Sequence, residues 1–71
     1  MSVVKVVELL AQSPNGWEDA TKEALRTASR TLRGIKSIYV KEMQALVENN
    51  QITAYRVNVK ISFEIEDEPG S

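Results

Sequence analysis

The chain lacks the two residue types on which most small catalytic and metal sites depend. Its 71 residues include no cysteine and no histidine. The first absence excludes disulfides and thiolate metal sites, and the second removes the commonest general base and a common metal ligand. Acid–base chemistry would have to come from carboxylates, lysines or tyrosines, and no paired carboxylates stand out. The sequence therefore predicts a protein that is not an enzyme.

The chain also lacks an excess of charge of either sign. Nine Lys and Arg residues face ten Asp and Glu residues, for a net charge of −1, whereas a nucleic-acid-binding domain carries a basic face. The apolar run near the N-terminus is interrupted by Lys5 and Glu8 and is too short to span a membrane. We therefore expect no nucleic-acid partner, no membrane partner and a cytoplasmic location.

The chain is also too short to build a large hydrophobic core of its own. A domain of this size buries only about 60% of the surface that its unfolded chain exposes, and without disulfides the expected source of further burial is oligomerisation. The first strand is aliphatic on both faces, with Val3, Val7 and Leu9 on one and Val4, Val6 and Leu10 on the other. Two interpretations stay open: a subunit interface on the second face, or ordinary exposed aliphatic side chains.

The clearest pattern that is present lies in the last third of the chain. Odd positions from Tyr55 to Ile65 are apolar and even positions are polar, which predicts a strand with one buried face. Asn49 and Asn50 suit a two-residue hairpin turn, because asparagine tolerates positive φ. Unless a bulge intervenes, this turn predicts the pairs Ser37–Ser62, Ile38–Ile61, Tyr39–Lys60, Val40–Val59, Lys41–Asn58, Met43–Arg56 and Leu46–Thr53.

A helix with a narrow, alanine-rich apolar stripe precedes the hairpin. The stripe consists of Trp17, Ala20, Ala24, Leu25, Ala28 and Leu32. Either Ser13 caps the helix with Pro14 at its first position, or Asn15 caps it with Glu18 as the capping-box partner. Gly34 suits the end of the helix. Trp17 is interpreted as an anchor of the first turn on the sheet rather than as a stacking platform for a ligand.

These elements define an α+β fold of order β-α-β-β in one domain, 1–71. We predict strands at about 2–11, 35–48 and 51–66, a helix at about 14–33 and a frayed tail at 67–71. The third strand is expected between the other two, so that every neighbour is antiparallel and the sheet wraps on one helix. The uncovered face is then expected to carry Tyr39, Lys41, Met43, Arg56, Asn58 and Lys60.

From Val3 to about Glu66 the chain resembles the dodecins. The resemblance lies in the entry SPNGW, the segment TLRGIKSIYVKE and the closing YRVNVKISFEIED. It implies a hollow dodecamer of identical subunits. It also implies flavins, riboflavin or FMN, held in stacked pairs between tryptophans of two-fold-related subunits, for storage and photoprotection rather than turnover.

The resemblance breaks at the positions that hold the flavin. The stacking tryptophan of the family falls on Ser37 and the glutamine at the flavin edge falls on Arg56, with Tyr39 on the same face as a partial substitute. Trp17, Tyr55-Arg56 and Ser62-Phe63 resemble a calcium-dodecin-like branch, in which a divalent metal enters as a further ligand, with Glu8, Glu42, Glu48 and Glu64 as candidates. We therefore predict a non-enzymatic binding or storage assembly with an altered flavin pocket. The alternatives are a flavin-sequestering dodecin and a metal-binding or scaffold assembly.

Overall fold

The computed structural model describes residues 3–65. It contains one helix, α1, and three strands in the order β1 (Val3–Ser13), α1 (Trp17–Ala28), β2 (Ile35–Glu48) and β3 (Gln51–Ile65). The strand order in the sheet is β1-β3-β2, and β3 is antiparallel to both neighbours. The predicted β-α-β-β order and the central position of the third strand are confirmed. The predicted tail, 67–71, lies outside the described residues.

The helix is shorter than the predicted 14–33, and it begins in a different way. Its N-cap is Gly16, at φ 145°, a conformation that glycine adopts readily and other residues rarely. Neither Ser13 nor Asn15 is the cap. Ser13 instead ends β1, where its buried hydroxyl accepts a hydrogen bond from the Asn15 backbone N–H at 3.0 Å. The hydroxyl also donates to Asp19 Oδ2 at 2.5 Å, which ties the strand to the first turn of the helix.

The C-terminal end of the helix also differs from the prediction. Regular α-helix ends at Ala28, and the chain continues through turns in which the Arg30 and Leu32 backbone N–H groups donate to the carbonyls of Thr27 and Ala28. Gly34, at φ 69°, does not cap the helix. Its carbonyl accepts a hydrogen bond from the Glu64 N–H at 2.9 Å, so it serves to turn the chain into β2.

The hairpin confirms the predicted turn and four of the seven predicted pairs. Asn49 and Asn50 have φ of 53° and 62°, as a primed two-residue turn requires. The four pairs from Ser37–Ser62 to Val40–Val59 occur as predicted, but irregularities in the pairing lie between Val40 and Glu42 and between Leu46 and Val47. Between them Glu42 pairs with Asn58, Met43 with Val57 and Leu46 with Ala54, so the predicted pairs Lys41–Asn58, Met43–Arg56 and Leu46–Thr53 are wrong.

The core lies between α1 and one face of the sheet. Three alanines of the helix pack against three fully buried β3 side chains: Ala20, Ala24 and Ala28 against Val57, Val59 and Ile61. Small helix side chains let the helix lie close to the strand, as the alanine-rich stripe predicts. No helix within residues 3–65 is long and apolar enough to cross a membrane.

Candidate functional site

The face of the sheet opposite α1 carries all three residues that the sequence singled out, and we call it the open face. Because directly paired residues share a face of a sheet, the even-numbered residues of β3 and their partners define it. They include Val6, Glu8, Leu10 and Gln12 of β1, Ser37, Tyr39, Glu42 and Gln44 of β2, and Arg56, Asn58, Lys60 and Ser62 of β3. Lys41, in the irregularity between Val40 and Glu42, reaches the same face through its ion pair with Glu8. Met43 was expected here, but it pairs with Val57 and belongs to the helix side.

Ser37 and Tyr39 are neighbours at the β2 edge of the open face. The Ser37 hydroxyl lies 2.5 Å from the Ser62 hydroxyl in the adjacent strand. Tyr39 is paired with Lys60, and 63% of it is exposed. A tyrosine ring that is free on one side can stack on a flat ligand, whereas Ser37 offers only a hydroxyl that already has a partner. The edge thus combines one exposed aromatic ring with a pair of hydroxyl groups.

Arg56 lies elsewhere on the open face and has a partner within the chain. Its Nε and Nη2 donate to Gln12 Oε1 at 3.2 and 3.1 Å, and the residue is half-buried. The guanidinium is therefore held over β1, against its cross-strand neighbour Gln12. The sequence reasoning missed Gln12, because the register of β1 on β3 was not predicted. No alternation of polar and apolar residues could have placed it there, because β1 is aliphatic on both faces.

One subunit does not bring Arg56 together with Ser37. Ser37 pairs with Ser62, six positions along β3 from Arg56, which corresponds to about 20 Å of strand. A pocket that used both side chains on one small ligand would have to combine Ser37 of one subunit with Arg56 of another. The three predicted residues thus form a pair at one end of the open face and a single arginine at the other.

The middle of the open face holds a polar cluster that the sequence did not reveal. Glu8 in β1 forms an ion pair with Lys41 in β2 at 3.5 Å, reaching across the central strand. A hydrogen bond with the Asn58 side chain, together with the Lys41 charge, lowers the pKa of Glu8 below its usual range. The Oδ1 atom of Asn58 is buried and receives no hydrogen bond from the residues that the structure describes. Polar groups here satisfy one another only in part.

Trp17 takes the structural role that was predicted for it. Its ring meets Tyr55 edge-on, with centroids 4.9 Å apart, and its Nε1–H donates to the Gln44 carbonyl oxygen at 2.9 Å. The indole therefore fastens the first turn of α1 to the helix side of β2 and β3. It is not on the open face and cannot replace an aromatic ring there.

Within residues 3–65 the acidic side chains of one chain do not assemble into a metal site. Among residues 3–65 no three Asp or Glu side chains lie close enough together to hold an ion. Of the four glutamates named from the sequence, Glu8 pairs with Lys41 and Glu64 with Lys36, while Glu42 and Glu48 are exposed. Calcium prefers six to eight oxygen ligands, so a site of that kind would need carboxylates from several subunits.

One helix packed on one face of an antiparallel β1-β3-β2 sheet, within residues 3–65, defines a class of small α+β proteins. Comparison with known proteins identifies the class. The Dodecin family model matches residues 3–66. The chain belongs to the dodecin family.

Two relatives show how far the likeness extends. The "Calcium dodecin" of Mycobacterium tuberculosis is 32% identical over 65 residues, covering 92% of each chain. Its crystal structure, described as having a novel calcium-binding site, has a TM-score of 0.79 at 30% identity and covers 99% of this chain and 97% of its own.

The second relative is the "Dodecin" of Thermus thermophilus, 34% identical over 92% of this chain and 94% of its own. The crystal structure of a single-residue variant of that dodecin has a TM-score of 0.89 at 33% identity, covering 94% of this chain and 100% of the other. The β-α-β-β subunit is thus shared with both relatives, one of which is named for calcium.

Proposed function

We propose that this protein is a non-enzymatic, homo-oligomeric binding and storage protein of the dodecin type, a dodecamer whose flavin pocket is altered. The observation that carries the proposal is the pair of hydroxyls at Ser37 and Ser62, 2.5 Å apart. By resemblance, Ser37 stands where the family has its stacking tryptophan. Loss of an aromatic stacking partner weakens the binding of a flat ring by about 1–3 kcal/mol, and a two-fold-symmetric site loses the partner twice.

The state of Arg56 supports the same proposal. Where the family has a glutamine at the flavin edge, this chain has a guanidinium that donates twice to Gln12. A ligand that used Arg56 would have to displace Gln12 or accept a hydrogen bond from another edge of the guanidinium. An anionic group such as phosphate or carboxylate is the chemistry that an arginine binds best.

The test is to restore the missing ring. We expect Ser37→Trp to raise riboflavin affinity about tenfold or more, because one stacking contact is worth about 1–3 kcal/mol. Tryptophan is favoured in strands and Ser37 is exposed at an edge. Quenching of riboflavin fluorescence, titrated into wild type and variant, measures the change. Gln51→Trp, at another exposed strand position beside the turn, controls for the added indole.

Tight flavin quenching by the wild type would instead support the flavin-sequestering alternative. Native mass spectrometry of freshly purified protein adds the copy number and any retained molecule. A stable monomer, or an unchanged affinity in Ser37→Trp, would contradict the proposed pocket.

The name of the mycobacterial relative favours a divalent metal as the second candidate ligand. Because no three carboxylates meet within the described part of one subunit, such a site would depend on assembly. Melting curves with calcium, with magnesium and with a chelator test it. A ligand that binds only the folded assembly raises its melting temperature, and superimposable curves would favour a scaffold role instead.

A further inference from the structure

A groove of about 760 Å³ lies between the C-terminal half of α1 and the beginning of β2. Its volume falls in the range of about 300–1,000 Å³ that is typical of small-molecule sites. The apolar part of its wall is aliphatic throughout: Leu25, Leu32, Ile35 and Ile38. Leu25 projects into it with 41% of its surface exposed, although it belongs to the apolar stripe of the helix. We call these four side chains the aliphatic wall.

The rim of the groove carries charge of one sign. Lys22, Arg26 and Lys36 line it, together with Ser29 and Ser37, and none of the lining residues is acidic. In a chain with a net charge of −1 this concentration of cations is local. Each of the three pairs with a carboxylate outside the groove. Such exposed ion pairs are weak, so the cations remain available to an anion that also buries apolar surface.

We propose that this groove binds a free medium-chain acyl carboxylate, with the alkyl chain along the aliphatic wall and the carboxylate at the cationic rim. The absence of any aromatic ring among the lining residues favours an alkyl chain over a flat ring, which would need a stacking partner. The ligand therefore differs in chemistry from a flavin. Ser37 borders the groove and also belongs to the open face, but the four side chains of the aliphatic wall do not, so the inference does not depend on the function proposed above.

Calorimetric titration of the assembled protein with monomeric decanoate tests the proposal. Because each buried methylene contributes a roughly constant increment, we expect affinity to rise about 10- to 15-fold from octanoate to decanoate and again to dodecanoate. Decanol, which keeps the chain and loses the charge, should bind at least about fivefold more weakly than decanoate. If neither decanoate nor dodecanoate binds, the groove is covered in the assembly by a second copy and the proposal is wrong.

Two charge variants distinguish a direct contact between the ligand carboxylate and Arg26 from a general effect of positive charge near the groove. Arg26→Gln removes a rim cation and should weaken decanoate binding about three- to tenfold. Arg30→Gln removes the same charge from the turn that follows the helix, outside the lining residues, and should change the affinity less than twofold. Equal losses in the two variants would overturn the proposal.

Acyl chains and anionic groups also occur together in membrane lipids. Sedimentation with vesicles distinguishes binding to a lipid surface from binding of a free carboxylate. Vesicles of phosphatidylcholine and phosphatidylglycerol should leave the protein in the supernatant and should not compete with decanoate. Pelleting with these vesicles, abolished by Arg26→Gln, would assign the groove to a lipid surface and overturn the proposal of a free ligand.

Discussion

The two faces of the sheet are built from the same strands yet reach very different states of burial. On the helix side, Val57, Val59 and Ile61 are fully buried. On the open face the aliphatic side chains of β1 stay in solvent, with Val6 53% and Leu10 66% exposed. The first face is completed by twelve residues of helix within the chain. No helix or strand within residues 3–65 covers the second face.

The composition of the open face indicates what could complete it. Aliphatic side chains at Val6 and Leu10 flank the ion pair between Glu8 and Lys41. A surface of mixed, balanced charge with aliphatic flanks can be self-complementary in a two-fold contact. A second copy of the chain is therefore the occupant that the face suits, in keeping with the proposed assembly.

The largest expected effect comes from introducing a charged side chain on the open face, which tests the difference in burial between the two faces. We expect Val6→Asp to dissociate the assembly completely, because an unpaired carboxylate would be buried if the face is an interface. The side chain is half-exposed in the single subunit, so the subunit itself has room for the change. Size-exclusion chromatography with light scattering measures the outcome, and far-UV circular dichroism monitors the fold.

The isosteric variant Val6→Thr serves as the control, since it adds a hydroxyl without charge and should remain assembled. An undissociated Val6→Asp would show that the first strand does not lie at an interface. The aliphatic residues on its second face would then be ordinary exposed side chains.

The second test uses one substitution on the covered face and the same substitution outside the core. Ile61 is fully buried, whereas Ile52 is 54% exposed near the hairpin turn. We expect Ile61→Ala to lower the free energy of unfolding by about 2–5 kcal/mol, because it leaves a cavity beneath the helix. Ile52→Ala should cost less than about 1 kcal/mol. Urea denaturation at one fixed subunit concentration measures both.

Similar losses in the two variants would mean that assembly buries Ile52 as deeply as the helix buries Ile61. The covered face would then be no more protected than the hairpin, and the contrast between the two regions would fail.

The covered face was also the part of the fold that the sequence predicted best. Strict alternation in β3 identified its buried side chains, and the asparagine turn fixed the pairs from Ser37 to Val40. Beyond Val40 the prediction failed because β2 carries an irregularity there and a second one beyond Leu46 restores the register before the turn. The alternation of β2 between Glu42 and Leu46 is too weak to mark either irregularity.

The open face was less predictable, because its contacts join residues far apart in the chain. The bond from Arg56 to Gln12 spans 44 positions, and it follows only once β1 is placed on β3. The ion pair of Glu8 with Lys41 likewise requires all three strands in order. Local pattern assigned Arg56 to its face but could not identify Gln12 as its partner. The resemblance identified Ser37, Tyr39 and Arg56 as pocket positions, and only the register showed how far apart they lie.

The smallest expected effect concerns the junction that carries β1 into the helix under the covered face. The hydrogen bond from the Ser13 hydroxyl lowers the pKa of Asp19 below its ordinary value of about 3.9. In the pH range between the folded and unfolded pKa values the unfolded chain binds more protons, so stability falls as the pH falls. The stabilisation that Asp19 contributes is fully present above its pKa in the unfolded chain, and it is lost as the pH falls through its lower pKa in the folded protein.

Asp19→Asn should therefore flatten the decline of melting temperature between about pH 5 and pH 3. Glu18→Gln, an exposed acid one residue earlier in the same turn, should leave that slope close to wild type. Equal flattening by both variants would mean that the general charge of the first turn, rather than the bond to Ser13, sets the acid sensitivity.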